Sequence, residues 1–99
     1  MILNIMDLGA TGDGKILNTK QIQNAIDKCS DSGGGTVLIP SGGVFLSEQI
    51  RLATNITLRI EEGAVIKSTS GKNDFPDNAF IFAENAENIA ITGRGIIDG

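Results

Sequence analysis

A few stretches of this 99-residue chain hold residue types capable of chemistry. The first is Gly9-Ala10-Thr11-Gly12-Asp13-Gly14, where three glycines in six residues could free backbone amides to cradle a phosphate. The spacing is G-x-x-G-x-G, no Lys-Ser/Thr pair follows, and the next helical pattern starts too late to present its N-terminus to an anion. A structural loop is the better reading. The second is Asp74 with Asp77, the only carboxylates of the polar stretch Ser68 to Ala79. General acid–base chemistry uses paired carboxylates, but two aspartates three residues apart, beside Gly71 and Pro76, are turn formers first. A stretch this long without pattern commonly carries function or contacts a neighbour. The third is Cys29, a lone thiol on an apolar stripe, which reads as a small core filler rather than a nucleophile. Asn55-Ile56-Thr57 matches the N-glycosylation pattern, but it opens a strand rather than an exposed loop, so chance explains it better.

The elements that would position these residues are easier to read. Asn18 to Cys29 patterns as a helix, with an overall extent of about 18–30. Ile22, Ala25, Ile26 and Cys29 fall at i, i+3, i+4 and i+7, one apolar stripe. Asn18 is placed as N-cap with Gln21 three residues on, as in a capping box, and Ser32-Gly33-Gly34-Gly35 ends the helix. Met1 to Leu8 reads as a first strand with Ile2 and Ile5 buried.

The rest of the chain repeats one unit, strand–corner–strand. In Asn55 to Lys67, Ile56, Leu58 and Ile60 alternate with Thr57 and Arg59, and Glu61-Glu62-Gly63 makes the turn. Asn88 to Gly99 repeats it, with Ile89 and Ile91 alternating, a turn at Gly93-Arg94, and Ile96-Ile97 resuming. A looser copy runs Thr36 to Ile39, Pro40 to Gly43, then Val44 to Leu46, and Leu46 to Leu52 makes a connecting short strand. Phe80-Ile81-Phe82 returns to strand after the polar stretch. Val37 precedes Ile56 by 19 residues, Ile56 precedes Ile89 by 33, and Gly63 precedes Gly95 by 32. An antiparallel meander would account for each turn singly. A solenoid accounts for the recurrence of the whole unit, corner included, and for a helix with one apolar face that caps an otherwise open end.

Composition removes several function classes. Net charge is −4 with no basic stripe, which argues against nucleic acid and against an anionic membrane surface. The chain has no His, so the commonest general base and metal ligand are both missing. One cysteine allows neither an internal disulfide nor a thiolate cluster. No apolar run reaches the ~18 residues of a membrane span and Met1-Ile2-Leu3 opens no signal peptide, so a cytoplasmic location is expected.

Asp7 to Gly14, Asn18 to Asp27 and Gly33 to Pro40 resemble the opening of pectin-lyase-like right-handed parallel β-helix proteins. Leu52-x-x-Asn55-Ile-Thr-Leu-x-Ile-Glu-x-Gly-Ala-Val-Ile66, Asp74-Phe-Pro76 and Ile91-Thr-Gly-x-Gly-Ile-Ile-Asp-Gly99 are similar, in order and spacing, to glycoside hydrolase family 28, the polygalacturonases and their relatives. The resemblance implies a mainly β fold, a right-handed parallel β-helix, with an N-terminal strand, loop and capping helix in residues 1–35 and the first two to three coils in residues 36–99, one truncated domain. It implies a parent enzyme that hydrolyses α-linked galacturonate chains with inversion, using one carboxylic acid on the leaving oxygen and carboxylate base on the attacking water. The Asn-Thr-Asp, Asp-Asp, Gly-His-Gly and Arg-Ile-Lys elements that carry this in the family are absent from this sequence. No catalytic, cofactor-binding or metal-binding residue is therefore assigned, and the chain by itself is expected to be inactive. The partner implied for the parent is a pectic polysaccharide or oligogalacturonide, with self-association expected through an open C-terminal end. Two other readings stand beside this one. A non-catalytic binding or structural β-helix module would have only Phe45, Phe75, Phe80 and Phe82 to stack on sugars. Part of a lyase of the same fold would need a Ca²⁺-binding carboxylate cluster that the sequence lacks.

Overall fold

The two-residue period of Ile56, Leu58 and Ile60 decides the architecture. Those side chains point inward, all at most 2% exposed, while Arg59 points out. Such a strand has one face to bury and two edges to pair, and both edges pair in parallel. A computed structural model describes residues 1–68, 81–83 and 85–98. In chain order these form β1 (Ile2–Asn4), a short 3-10 helix (Ile5–Leu8), β2 (Asp13–Leu17), α1 (Thr19–Asp31), β3 (Gly35–Ile39), β4 (Val44–Ser47), β5 (Ile50–Leu52), β6 (Ile56–Ile60), β7 (Val65–Ser68), β8 (Ile81–Ala83), β9 (Ala90–Thr92) and β10 (Ile96–Asp98). The strands stack as three walls, β1-β3-β6-β9, β2-β4-β7-β10 and β5-β8, with every described pairing parallel. This is a parallel β-helix, and the meander is excluded. Two coils, β3-β4-β5 and β6-β7-β8, have three strand walls each, flanked by the partial rungs β1-β2 and β9-β10.

Register lines up the interior in ladders. Leu3, Val37, Leu58 and Ile91 stack in the first wall, Phe45, Ile66 and Ile97 in the second, and Ile50 with Ile81 in the third. The spacing from the first to the second full coil is 21 residues, because Gly35 pairs with Ile56 and Val37 therefore meets Leu58. The expected 19 aligned the first inward aliphatics, whereas the corners set the register. Gly42 donates its N–H to Gly63 O (3.3 Å) and Val65 to Gly43 O (2.9 Å), which stacks the Pro40–Gly43 corner on Glu61–Ala64. The next spacing in this wall is 33, as read, but Gly95 lies over Ala64 rather than Gly63, because Ile96 pairs with Val65.

Helix α1 fills the place that an earlier strand would take in the third wall. Its stripe of Ile22, Ala25, Ile26 and Cys29 is fully buried. On the free edge of β5, the Gln23 side-chain amide accepts the Arg51 N–H (3.1 Å) and donates to Arg51 O (2.9 Å). The amide thus reproduces one peptide unit of a neighbouring strand, the expected capping role in physical form. The helix closes in a Schellman motif: Gly33, at φ 93°, donates to Ser30 O and Gly34 to Cys29 O.

Three expectations fail at the N-terminal end. The first strand stops at Asn4, whose Oδ1 accepts the Met6 N–H (2.9 Å) and starts the 3-10 turn, so Ile5 is buried but Ile2 is 72% exposed. The strand alternation that buries Leu3 beneath Val37 turns Ile2 outward. The loop read over Gly9 to Gly14 stops short, because Asp13 and Gly14 open β2, to which β4 offers its edge despite the weak strand propensity of Asp-Gly-Lys. Asn18 precedes the helix but does not cap it with its side chain, and no capping box forms. The Asn18 amide is fully buried and is spent elsewhere. Its Oδ1 accepts the Thr11 N–H (2.8 Å), and its Nδ2 donates to Thr11 O (2.8 Å) and Ile16 O (3.2 Å).

Candidate functional site

The glycine loop is not a phosphate cradle. Three of its amides are already used, Gly9 N–H going to Met6 O, Ala10 N–H to Ile5 O and Thr11 N–H to Asn18, and Asp13 and Gly14 belong to β2. Gly12 has a packing role instead, since a Cβ there would come 2.9 Å from the Phe45 ring. Asp13 accepts N–H groups from Ile16 (3.0 Å) and Lys15 (2.9 Å), which hold its carboxyl below the usual range, and it remains an exposed turn residue. Cys29 is enclosed between α1 and Gly35, and burial pushes its thiol up, away from the reactive thiolate. Asp74 and Asp77 lie outside the described residues, as do Phe75 and Phe80. Phe45 is 1% exposed and cannot offer a ring face to a sugar, while Phe82 on β8 is half-buried. Among the described residues no group of three or more His, Cys, Asp or Glu could hold a metal ion.

Asn55 also has a structural use. It sits at φ 63° and Asn88 at φ 58°, the left-handed conformation that Asn tolerates. Asn88 Nδ2 donates to Asn55 Oδ1 (2.9 Å), and Asn55 Nδ2 donates to Gly33 O (3.3 Å). The side chain of the apparent glycosylation signal is thus a rung in an asparagine ladder that ties one corner to the next.

A cleft lined by polar and charged groups lies at the corner between the first and second walls. Two stacked turns make it, Glu61–Ala64 and Gly93–Gly95. In the lower turn Ala64 N–H closes on Glu61 O (2.9 Å), with Gly63 at φ 87°. The upper turn lies flat on the lower one because its glycines have no side chains. A Cβ on Gly93 would collide with the Ile60 carbonyl, and one on Gly95 with the Ile60 side chain. Gly95 N–H bonds Ile60 O (2.9 Å) and Ile96 N–H bonds Ala64 O (2.9 Å). Arg59, Glu61, Glu62, Thr92, Gly93 and Arg94 line a cleft of about 530 Å³ between the turns. Arg59 Nε meets Glu61 Oε1 at 3.5 Å, an exposed pair worth little to stability. Arg94 is exposed and makes no ion pair among the described residues. One rung earlier at the same corner, Gly12, Pro40, Ser41 and Gly43 line a smaller hollow of about 380 Å³ with no charged group among the described residues.

Sequence reading did not single out Arg59 and Arg94, although the signal was present. The 33-residue register that pairs Arg59 with Thr92 brings Arg94 over Glu61, so an offset applied to charged as well as apolar residues would have joined them.

The comparisons with known proteins agree with this architecture. Residues 2–93 match a family model described as rhamnogalacturonase A/epimerase, pectate lyase-like. Over 99% of its length the chain is 33% identical to the exo-poly-alpha-D-galacturonosidase of Dickeya chrysanthemi, of which it spans 19%. A solved structure from Parabacteroides merdae superposes on the whole chain with a TM-score of 0.91 and 42% identity, the chain spanning 44% of that protein. A hyperthermoactive exopolygalacturonase from Thermotoga maritima also superposes on the whole chain, with a TM-score of 0.87 and 31% identity, and the chain spans 25% of it. The fold is the right-handed β-helix of these polygalacturonase neighbours.

Proposed function

The chain belongs to the rhamnogalacturonase A/epimerase, pectate lyase-like family, and from that premise we propose that it serves as the N-terminal cap and first coils of a glycoside hydrolase acting on galacturonan. The observation that carries this is the joint one of cap and coils. Helix α1 takes the free edge of β5 through Gln23, and from there every described rung stacks in parallel toward β9 and β10. At that far end β9 and β10 each have one parallel partner among the described residues, and their outer edges suit the addition of a further coil. The match to galacturonan-degrading relatives runs along essentially the full chain.

In this reading the chain contributes rigidity and register, and the acid and base that cleave the glycosidic bond lie on other coils. Its own carboxylates do not form the required couple: Asp13 is held by its turn, and Glu61 faces Arg59. Two measurements test the proposal. The purified 99-residue chain should release no reducing ends from polygalacturonate, and release above blank overturns the reading. A chimera in which this chain replaces the superposable segment of the Thermotoga maritima exopolygalacturonase should fold and retain hydrolysis.

The same free edges, with Ile91, Ile96 and Ile97 between 43% and 58% exposed, support self-association of the chain through this end. Light scattering should show dimers or larger species growing with concentration. A single monomeric species at high concentration would count against it.

A further inference from the structure

We infer that the cleft between the two stacked turns is a binding site for a uronic acid residue, with Arg59 and Arg94 taking its carboxylate. The choice of galacturonate as that acid rests on the proposed galacturonan function; the anion site itself rests on the geometry alone.

Two of the chain's three arginines line this one cleft, in a molecule whose net charge is −4. Arg59 is on β6, and Arg94 is in the corner that follows Arg59's register partner Thr92 on the next rung. Arg59 engages Glu61 only through Nε, at the long distance of 3.5 Å, so its terminal fork is left for another partner. Arg94 has no carboxylate within ion-pair distance among the described residues, although Glu61 and Glu62 line the same cleft. Two neighbouring guanidiniums repel each other until an anion sits between them, and the planar fork suits a carboxylate with two parallel hydrogen bonds.

The rest of the cleft suits a sugar. Glu61 and Glu62 can accept, and the Thr92 hydroxyl can both donate and accept, as ring hydroxyls require. Its volume of about 530 Å³ lies within the range of small-ligand sites. The backbone beneath it is fixed, because Gly93 and Gly95 lie tight against Ile60 and two hydrogen bonds of 2.9 Å, Gly95 N–H to Ile60 O and Ile96 N–H to Ala64 O, join the turns. A fixed site costs little ordering on binding. Among the described residues no aromatic ring lines it, so these residues recognise a ligand by charge and hydrogen bonding, and a neutral sugar of the same shape should be rejected.

NMR titration of the chain with trigalacturonate, galactotriose and trimannuronate tests this. Trigalacturonate should shift the amides of Glu62, Thr92 and Arg94, with binding that weakens as salt is added. Arg94→Gln should weaken it by about tenfold, the loss of one charge-assisted pair, and leave the spectrum elsewhere unchanged. Arg59→Gln should weaken it similarly. Galactotriose should not bind. The inference is overturned if no uronate shifts these amides, if Arg94→Gln binds as the parent does, or if galactotriose binds equally. Arg94-dependent binding of trimannuronate without trigalacturonate keeps the uronate site and overturns the galacturonan reading.

Discussion

The two ends of the described coil are built from the same kind of residue and differ completely in burial. Leu58 and Ile91 are register partners in the first wall, yet Leu58 is fully buried and Ile91 is 47% exposed. Ile66 and Ile97 are partners in the second wall, and again the first is buried and the second 43% exposed. At the opposite end, α1 lays its stripe across β3 of the first wall and β5 of the third, and its four apolar residues are all buried. The difference teaches that a coil does not bury its own side chains. Each inward residue is covered by the rung before it and the rung after it, so stability in a solenoid is a sum over neighbours. Identical alternation gives a core residue where both neighbours exist and an exposed aliphatic where one is missing.

Truncating the two partners sharpens this comparison most. Leu58→Ala should cost about 2–5 kcal/mol, the range for a cavity inside a packed core. Ile91→Ala should cost below about 1 kcal/mol, as for a residue with a solvated side. Chemical denaturation of both variants decides it, and equal losses would break the neighbour argument.

A second test contrasts adjacent glycines at the end of α1. Gly34 has φ 124°, and a Cβ there would stand 2.5 Å from Asn55 Cβ, within the asparagine ladder. Gly34→Ala should therefore lose roughly 2–4 kcal/mol, combining backbone strain with a clash between coils. Gly33 has φ 93° with nothing within 4 Å of a Cβ, so Gly33→Ala should lose only about 1–2 kcal/mol of left-handed penalty. Thermal melts that rank the two the other way would show that the ladder does not fix this corner.

The smallest effect concerns the cap itself. Gln23→Ala removes both amide bonds to Arg51, and the exposed setting limits the loss to about 1 kcal/mol. Its more telling readout is hydrogen exchange at the Arg51 amide, which should become fast while the β6 amides stay protected. An unchanged Arg51 rate would mean that the helix body, not the Gln23 amide, shields this edge.

Much of the fold was legible because solenoid order leaves its trace in sequence. The period of two marked β6, the stripe at i, i+3, i+4 and i+7 marked α1, and the recurrence of Asn55 as Asn88 gave the true 33-residue spacing. The misreadings have a common origin. Asn18 has the composition of an N-cap, and local rules placed its side chain on the helix, but the nearby loop offered Thr11 N–H and O as a matched pair. Asp13-Gly14-Lys15 has little strand propensity and is strand because β4 lies beside it. The candidate cleft was missed because Arg59, Glu62 and Arg94 carry no shared short motif; they meet through stacking, not sequence proximity.

The sequence by itself determined the class of fold, the family, and the inward and outward alternation of each strand, because side-chain polarity and spacing act locally and every rung repeats them. Only the tertiary structure decided the 21-residue register of the first full coils, the partner of Asn18, and the meeting of Arg59 with Arg94. The first and last depend on which groups face each other across a stack, where a parallel coil brings together residues 21 or 33 positions apart; the Asn18 partner depends on a loop that brings Thr11 back beside the start of α1.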